Sequence, residues 1–144
     1  MSVETEVYAP GYTEHGLSNG YEYLIYTTQF CPCCYLILHE ADPFYEAEEM
    51  DEVTLNVHGG CTFFSNATAP ILRKRRVRGF EDDTNAKIIG WDYGHYGDWN
   101  PRLAKEVGVS DKPFIVWTRT LLLKEIEQAT TELKHIKEWW RTYE

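Results

Sequence analysis

The first half of the chain has no basic residue. Residues 1–72 hold eleven acids and neither Lys nor Arg, a charge of −11; residues 73–144 hold all fourteen bases against twelve acids, a charge of +2; the total is −9. An acidic half repels a phosphate backbone and releases no counterions from it, which argues against duplex nucleic acid as a partner. The same charge keeps a domain in solution and suits a basic partner protein. Long apolar runs are also missing. None approaches the roughly 20 residues that span a bilayer, so no membrane partner is expected. The N-terminal MSVETEVYAPGYTEHG is acidic and has no apolar stretch, so no secretory signal is expected and the cytoplasm is the expected compartment. Four cysteines in that compartment read as reduced thiols or metal ligands, not disulfides. No internal repeat is visible.

What is present is ample material for one core: 144 residues, 43% hydrophobic and 15% aromatic. Residues 1–20 carry Pro10, Gly11, Gly16, Ser18 and Asn19 and read as an N-terminal arm, leaving 21–144 as a single α+β domain. Tyr21–Thr27 and Cys34–His39 read as strands joined by a short connection that contains Pro32. Acidic Ala41–Asp51, with Pro43, reads as loop. Glu52–His58 alternates Val53, Leu55 and Val57 with polar residues, the period of a half-buried strand. Gly59-Gly60 bends the chain before Cys61–Phe64 resumes extended structure. Residues 65–85 read as a long excursion around the basic run Arg73–Arg78, which suits a grip on phosphate or an acidic partner but reads first as solvated loop charge facing the chain's own acidic half. Ala86–Trp91 reads as another strand. Asn100 followed by Pro101 reads as a helix start, with Gly108 its stop. From about Thr120, Leu122, Ile126, Ala129, Leu133, Ile136 and Trp140 recur on one helical stripe. The expected architecture is a mainly antiparallel β-sheet packed by a long C-terminal α-helix.

Two segments carry the residues most suited to chemistry. His58 ends a strand and is followed by Gly59 and Gly60, which permit positive φ or a close approach. Downstream, Asp92, His95 and Asp98 are interleaved with Gly90, Gly94 and Gly97, too many glycines for a helix. If the segments meet, His58, Asp92, His95 and Asp98 are candidates for an acid/base site or for a divalent metal site, since nitrogen and oxygen donors suit Zn, Mn or Fe. The plainer reading is a His–Asp hydrogen-bond network that pins two loops. Gly59, Gly60, Thr62, Trp91, Tyr93 and Tyr96 are the candidate ligand contacts, because aromatics beside polar groups suit a small-ligand pocket. Trp139-Trp140 reads either as a homodimer surface or as core.

Cys31-Pro32-Cys33-Cys34, preceded by Tyr26-Thr27-Thr28, looks like the active-site stretch of a glutaredoxin, with Thr68-Ala69-Pro70 near the distance of that family's proline loop. Such a site needs a helix directly after the first Cys to lower the thiol pKa, whereas Cys34–Leu38 reads as strand. Zinc binding by Cys31, Cys34, Cys61 and a His is a further reading, although one CxxC is half a site. Free thiols in a hairpin are the plain expectation.

The pair His58-Gly59-Gly60-Cys61-Thr62-Phe63 and Ile89-Gly90-Trp91-Asp92-Tyr93-Gly94-His95-Tyr96-Gly97-Asp98 resembles a family of small, largely uncharacterised bacteriophage and prophage proteins. Those carry an HGG-x-T-[FY] turn and, later, a GFD-x-x-H-x-GD segment. The likeness covers roughly residues 21–101. The chain departs from the pattern at Cys61, at Trp91 and in the basic insertion Arg73–Arg78. The resemblance implies viral origin and the host cytoplasm, and supplies no established activity. Two functions follow as expectations. One is an accessory protein that binds a host protein or small-molecule ligand without turnover. The other is a small hydrolase-like enzyme, with or without a divalent metal ion, using His58, Asp92, His95 and Asp98.

Overall fold

A computed structural model describes residues 3–66, 85–101, 104–105 and 114–142 of the chain. Five strands, β1 (Thr13–Ser18), β2 (Tyr21–Thr27), β3 (Pro32–Leu38), β4 (Phe63–Asn66) and β5 (Lys87–Asp92), precede a 24-residue helix, α1 (Arg119–Thr142). The sheet runs in the order β1-β2-β3-β5-β4, and every neighbouring pair is antiparallel. This is the α+β architecture expected, with β2, β3, β5 and α1 close to where the sequence places them. The Arg73–Arg78 run, Thr68-Ala69-Pro70 and the Gly108 helix stop lie outside the described residues.

The N-terminal segment is not the arm expected. Val3–Tyr8 forms a 3-10 turn whose Val7 is buried, and Thr13–Ser18 is the edge strand of the sheet. Asn19 and Gly20, at φ 50° and 82°, close a two-residue hairpin with Ser18 opposite Tyr21. Positive φ at both central residues gives the turn a twist that matches its strands, which is why Asn-Gly favours it.

The sheet buries both faces. On one, Leu122, Ile126, Ala129 and Leu133 of α1 join Ile25, Cys34, Leu36, Leu38, Ile89 and Trp91 in the main core. On the other, Leu24, Cys33, Tyr35, Ile37 and Ile88 form a smaller cluster, with Cys31 and Phe63 against it. The two sets alternate along each strand, as side chains with a period of two must. The stripe on α1 runs out toward its end. Ile136 is half-buried, while Trp139 and Trp140 are exposed.

Glu52–His58 buries Val53, Leu55 and Val57 as the alternation requires, yet it does not join the sheet. Its backbone is served by α1 instead. The amide of Asn56 donates to Glu132 Oε2 at 3.1 Å and that of His58 to Glu125 Oε1 at 2.9 Å. Two helix carboxylates thus replace the carbonyls of a neighbouring strand.

The edge strand is clamped to α1 by charge. Arg119 Nε donates to Glu14 Oε1 at 2.8 Å and Arg119 Nη2 to Glu14 Oε2 at 3.0 Å, a two-pronged guanidinium–carboxylate pair. Burial pushes the Glu14 carboxyl up, but hydrogen bonds from Arg119 and Tyr12 outweigh it and hold the group below its usual value. A carboxyl lowered in the folded state stabilises above its unfolded pKa and loses that contribution as pH falls through the folded value. Glu14→Gln is therefore expected to lower the melting temperature at neutral pH. The gap to the parent should close as pH drops below about 4. Thermal melts of both proteins from pH 7 to 3 check this, and a gap that stays constant would count against the clamp.

Candidate functional site

The two glycine-bearing segments meet at one end of the sheet. Asp98 is the hub. Its carboxylate, with a side chain only 2% exposed, lies 2.8 Å from His58 Nε2 through Oδ2. The same oxygen accepts the His95 amide at 2.9 Å, while Oδ1 accepts Trp117 Nε1–H at 2.8 Å. A carboxylate can be taken out of water when its lone pairs are matched in this way.

His58 is held on its faces as well. Its ring stacks on Tyr93 at 5.2 Å and 5° between planes, and packs at a tilt on Trp117 at 4.6 Å. Tyr93 is itself fixed. Its hydroxyl accepts from Trp91 Nε1–H at 2.8 Å and donates to Glu125 Oε1 at 2.8 Å. Burial pushes this phenol far above its ordinary pKa, so it remains a donor. Glu125 therefore ties α1 to both the Tyr93 hydroxyl and the His58 amide.

His95 completes the junction. Its ring meets His58 edge to face at 5.4 Å, and its Nε2 lies 3.3 Å from Asp92 Oδ1. That nitrogen is buried and has no hydrogen-bond partner. The approach works only because residue 59 is glycine. A Cβ on Gly59 would stand 2.7 Å from His95 Cδ2, closer than real carbons come, and the residue has φ +70°. Asp92 is shared three ways, accepting Thr62 Oγ1–H at 3.1 Å through Oδ2 and the Gly94 amide at 3.0 Å through Oδ1, as well as facing His95.

The loop that carries these groups is braced from both sides. Gly97 O accepts the Ile115 amide and Ile115 O accepts the Trp99 amide, both at 2.8 Å, so a short parallel bridge joins Asp98 to Ile115. Asn100 Nδ2 donates to Phe30 O. At the loop's apex Tyr96 stands fully in solvent, at 103% relative exposure.

Comparison with protein-family models, curated proteins and solved structures finds no match. The side chains themselves must carry the functional reading.

His58, Asp92, His95 and Asp98 are brought together as expected, but as two pairs, His58–Asp98 and His95–Asp92. They do not make the metal-ligand set considered from sequence. Among the described residues, no group of three or more His, Cys, Asp or Glu side chains is placed to hold a metal ion. Asp98 has both oxygens engaged by protein donors, so a cation there would have to displace three N–H groups. Of the candidate ligand contacts, Gly59, Gly60, Thr62 and Tyr96 lie at the surface or at the junction. Trp91 and Tyr93 do not. Each is 1% exposed: alternation along β5 turns Trp91 toward α1 and leaves Asp92 on the opposite side, and Tyr93, just past the strand, is held on the α1 side by its bond to Glu125. Trp117 and Glu125 were not singled out from sequence. The only available signal was an acid, Glu125, standing between Leu122 and Ile126 beside the buried stripe.

The glutaredoxin-like reading of Cys31 and Cys34 fails on local structure. Pro32–Leu38 is strand, so no helix N-terminus follows Cys31. Cys34 is wholly buried on the α1 side, whereas Cys31 belongs to the opposite face. All four cysteines are free thiols, and no helix among the described residues is long and apolar enough to cross a membrane.

Proposed function

We propose that this chain is a phage accessory protein that binds a host component or small ligand, without turnover, through the Gly59-Gly60 turn and the Asp92–Asp98 loop. The observation that carries the reading is Tyr96, an aromatic ring held wholly in water at the tip of a loop whose backbone is braced at both ends. An aromatic anchor on a pre-ordered loop is what a recognition surface uses, because little ordering entropy is lost on contact. In the same loop Asp92 and His95 are half-buried, and Thr62, which donates to Asp92, is exposed. Both Asp98 oxygens and both Asp92 oxygens are engaged by groups of the fold, which suits a fixed binding surface. The motif likeness to small phage and prophage proteins supports the viral setting and the host cytoplasm as its place.

The test uses the tagged full chain as bait in bacterial lysate, alongside a metabolite panel read by thermal shift. Whatever the parent retains is expected to bind Tyr96→Ala about tenfold or more weakly, the loss typical of an aromatic hot spot. Equal binding by Tyr96→Ala and His95→Ala would move the surface elsewhere.

A second reading has one observation of its own. His58 Nε2 sits 2.8 Å from a buried carboxylate, the arrangement that orients a general base. A small hydrolase would then turn over ester or phosphoester substrates and lose that activity when His58 is replaced. Activity unchanged in a His58→Ala/His95→Ala variant would remove it.

A further inference from the structure

Cys31 and Cys33 lie on the face of the sheet away from α1, at the mouth of β3. Residues two apart on extended chain project to the same side, so the two thiols are neighbours while Cys34 is not. Cys33 stands directly across from Asp92 in the β3–β5 register. The pair lines an open cavity of about 330 Å³ whose walls include Phe30, Tyr35, Phe63 and Asp92. Gly94 forms part of the same wall, and a Cβ there would come within 3.0 Å of Cys31 Sγ. The two cysteines differ in access, with Cys31 half-buried and Cys33 buried.

We propose that Cys31 and Cys33 form a thiol–disulfide exchange site, in which Cys31 attacks a small disulfide bound in this cavity and Cys33 resolves the product. The step balances without any further oxidant. The Cys31 thiolate attacks one sulfur of R–S–S–R, the S–S bond breaks, and R–S⁻ leaves and takes up a proton. Cys33 then loses its proton and attacks Cys31 Sγ, expelling the second R–S⁻. Two protein thiols become one disulfide, and the substrate disulfide becomes two thiols.

Three features fit. Hydrogen bonding between the two thiols lowers the Cys31 pKa below its ordinary value and raises that of Cys33, so the accessible sulfur is the better nucleophile. Two residues of extended chain span about 6.6 Å, at the upper end of the roughly 4.4–6.8 Å that a disulfide bridges. A bridge so placed is strained and easily reduced, which suits exchange and not permanent cross-linking. The cavity walls contain Asp92 and neither Lys nor Arg among the described residues, so a cationic disulfide should be preferred to an anionic one.

The test treats the reduced full chain with cystamine, a dicationic disulfide, and in parallel with anionic oxidised glutathione, followed by intact mass and non-reducing peptide mapping. A Cys31–Cys33 bridge is expected, forming faster with cystamine. Cys33→Ser should stop at a mixed disulfide on Cys31, and Cys34→Ser should react like the parent. On the parent protein alone, limited alkylation should label Cys31 about tenfold faster than Cys33 or Cys34. Faster labelling of Cys33, bridges to Cys34 or Cys61, or no reaction with either disulfide would overturn the proposal. So would a faster reaction with oxidised glutathione, as regards the charge of the substrate. The outcome is independent of what the Tyr96 loop binds.

Discussion

Gly59→Ala is expected to destabilise the protein by about 3 kcal/mol, well beyond the cost of the same change at Gly60. Both glycines have positive φ, +70° and +76°. An alanine held in that region costs about 1–2 kcal/mol in either place. At Gly60 the new methyl would meet nothing within 4 Å, so the backbone cost is the whole cost. At Gly59 it would enter the His95 ring, 2.7 Å from Cδ2. The ring must then swing away and give up its edge-to-face contact with His58 and its approach to Asp92. Overpacking of a fixed site adds about 1–3 kcal/mol. Urea unfolding of the two variants measures the difference. Removing the obstacle should restore it, so Gly59→Ala/His95→Ala is expected to fall back toward the Gly60→Ala value, a coupling of neighbouring sites. Equal losses in the two single variants would mean that His95 moves freely, and the pre-ordered rim would lose its basis.

Much of this geometry was legible in the sequence, and the parts that were not share a cause. β2 and β3 stood out because their apolar residues are buried on both faces, and α1 because its stripe has to find a sheet. β1 did not. Its sequence, TEHGLS, has few β-branched residues, and an edge strand needs only backbone pairing with Tyr21–Thr27. The available signal was the Asn19-Gly20 pair, whose preference for tight hairpins says more than the loop-like composition around it. Glu52–His58 erred in the other direction. Alternation reports which side chains are buried, not what its amides bind, and here Glu125 and Glu132 of α1 take the place of a strand. The His58 and Asp92–Asp98 segments were found because glycines next to ionisable groups are seldom needed for packing alone. The roles within them were harder to read. Trp91 and Tyr93 read as ligand contacts, but strand alternation buries Trp91 and the bond to Glu125 draws Tyr93 in beside it, while Tyr96 stands free at the loop's apex. Trp117 was out of reach because its link to Asp98 depends on how a distant segment folds back.

Asp98→Ala should be the most damaging single change at the junction, at about 3–5 kcal/mol. One carboxylate accepts from a ring nitrogen, a backbone amide and an indole N–H, in a position almost sealed from water. Alanine leaves those groups facing a small void, and unmatched buried polar groups cost far more than a hydrogen bond gains. The loop and the Trp117 segment should separate together, since Asp98 is where both are tied to His58. Asp98→Asn is the informative companion. It keeps the shape and one carbonyl oxygen but turns an NH₂ toward a donor, so it should lose about 1–3 kcal/mol. A chain of this size loses roughly 2–4 °C of melting temperature per kcal/mol, which makes the two variants separable by calorimetry. The indole N–H resonance of Trp117 offers a local readout, expected to move in both variants and to stay put in Glu14→Gln. If Asp98→Ala melts within a degree or two of the parent, the hub is not what positions His58 and His95. The binding rim and the acid/base alternative would then both lack the fixed geometry on which they rest.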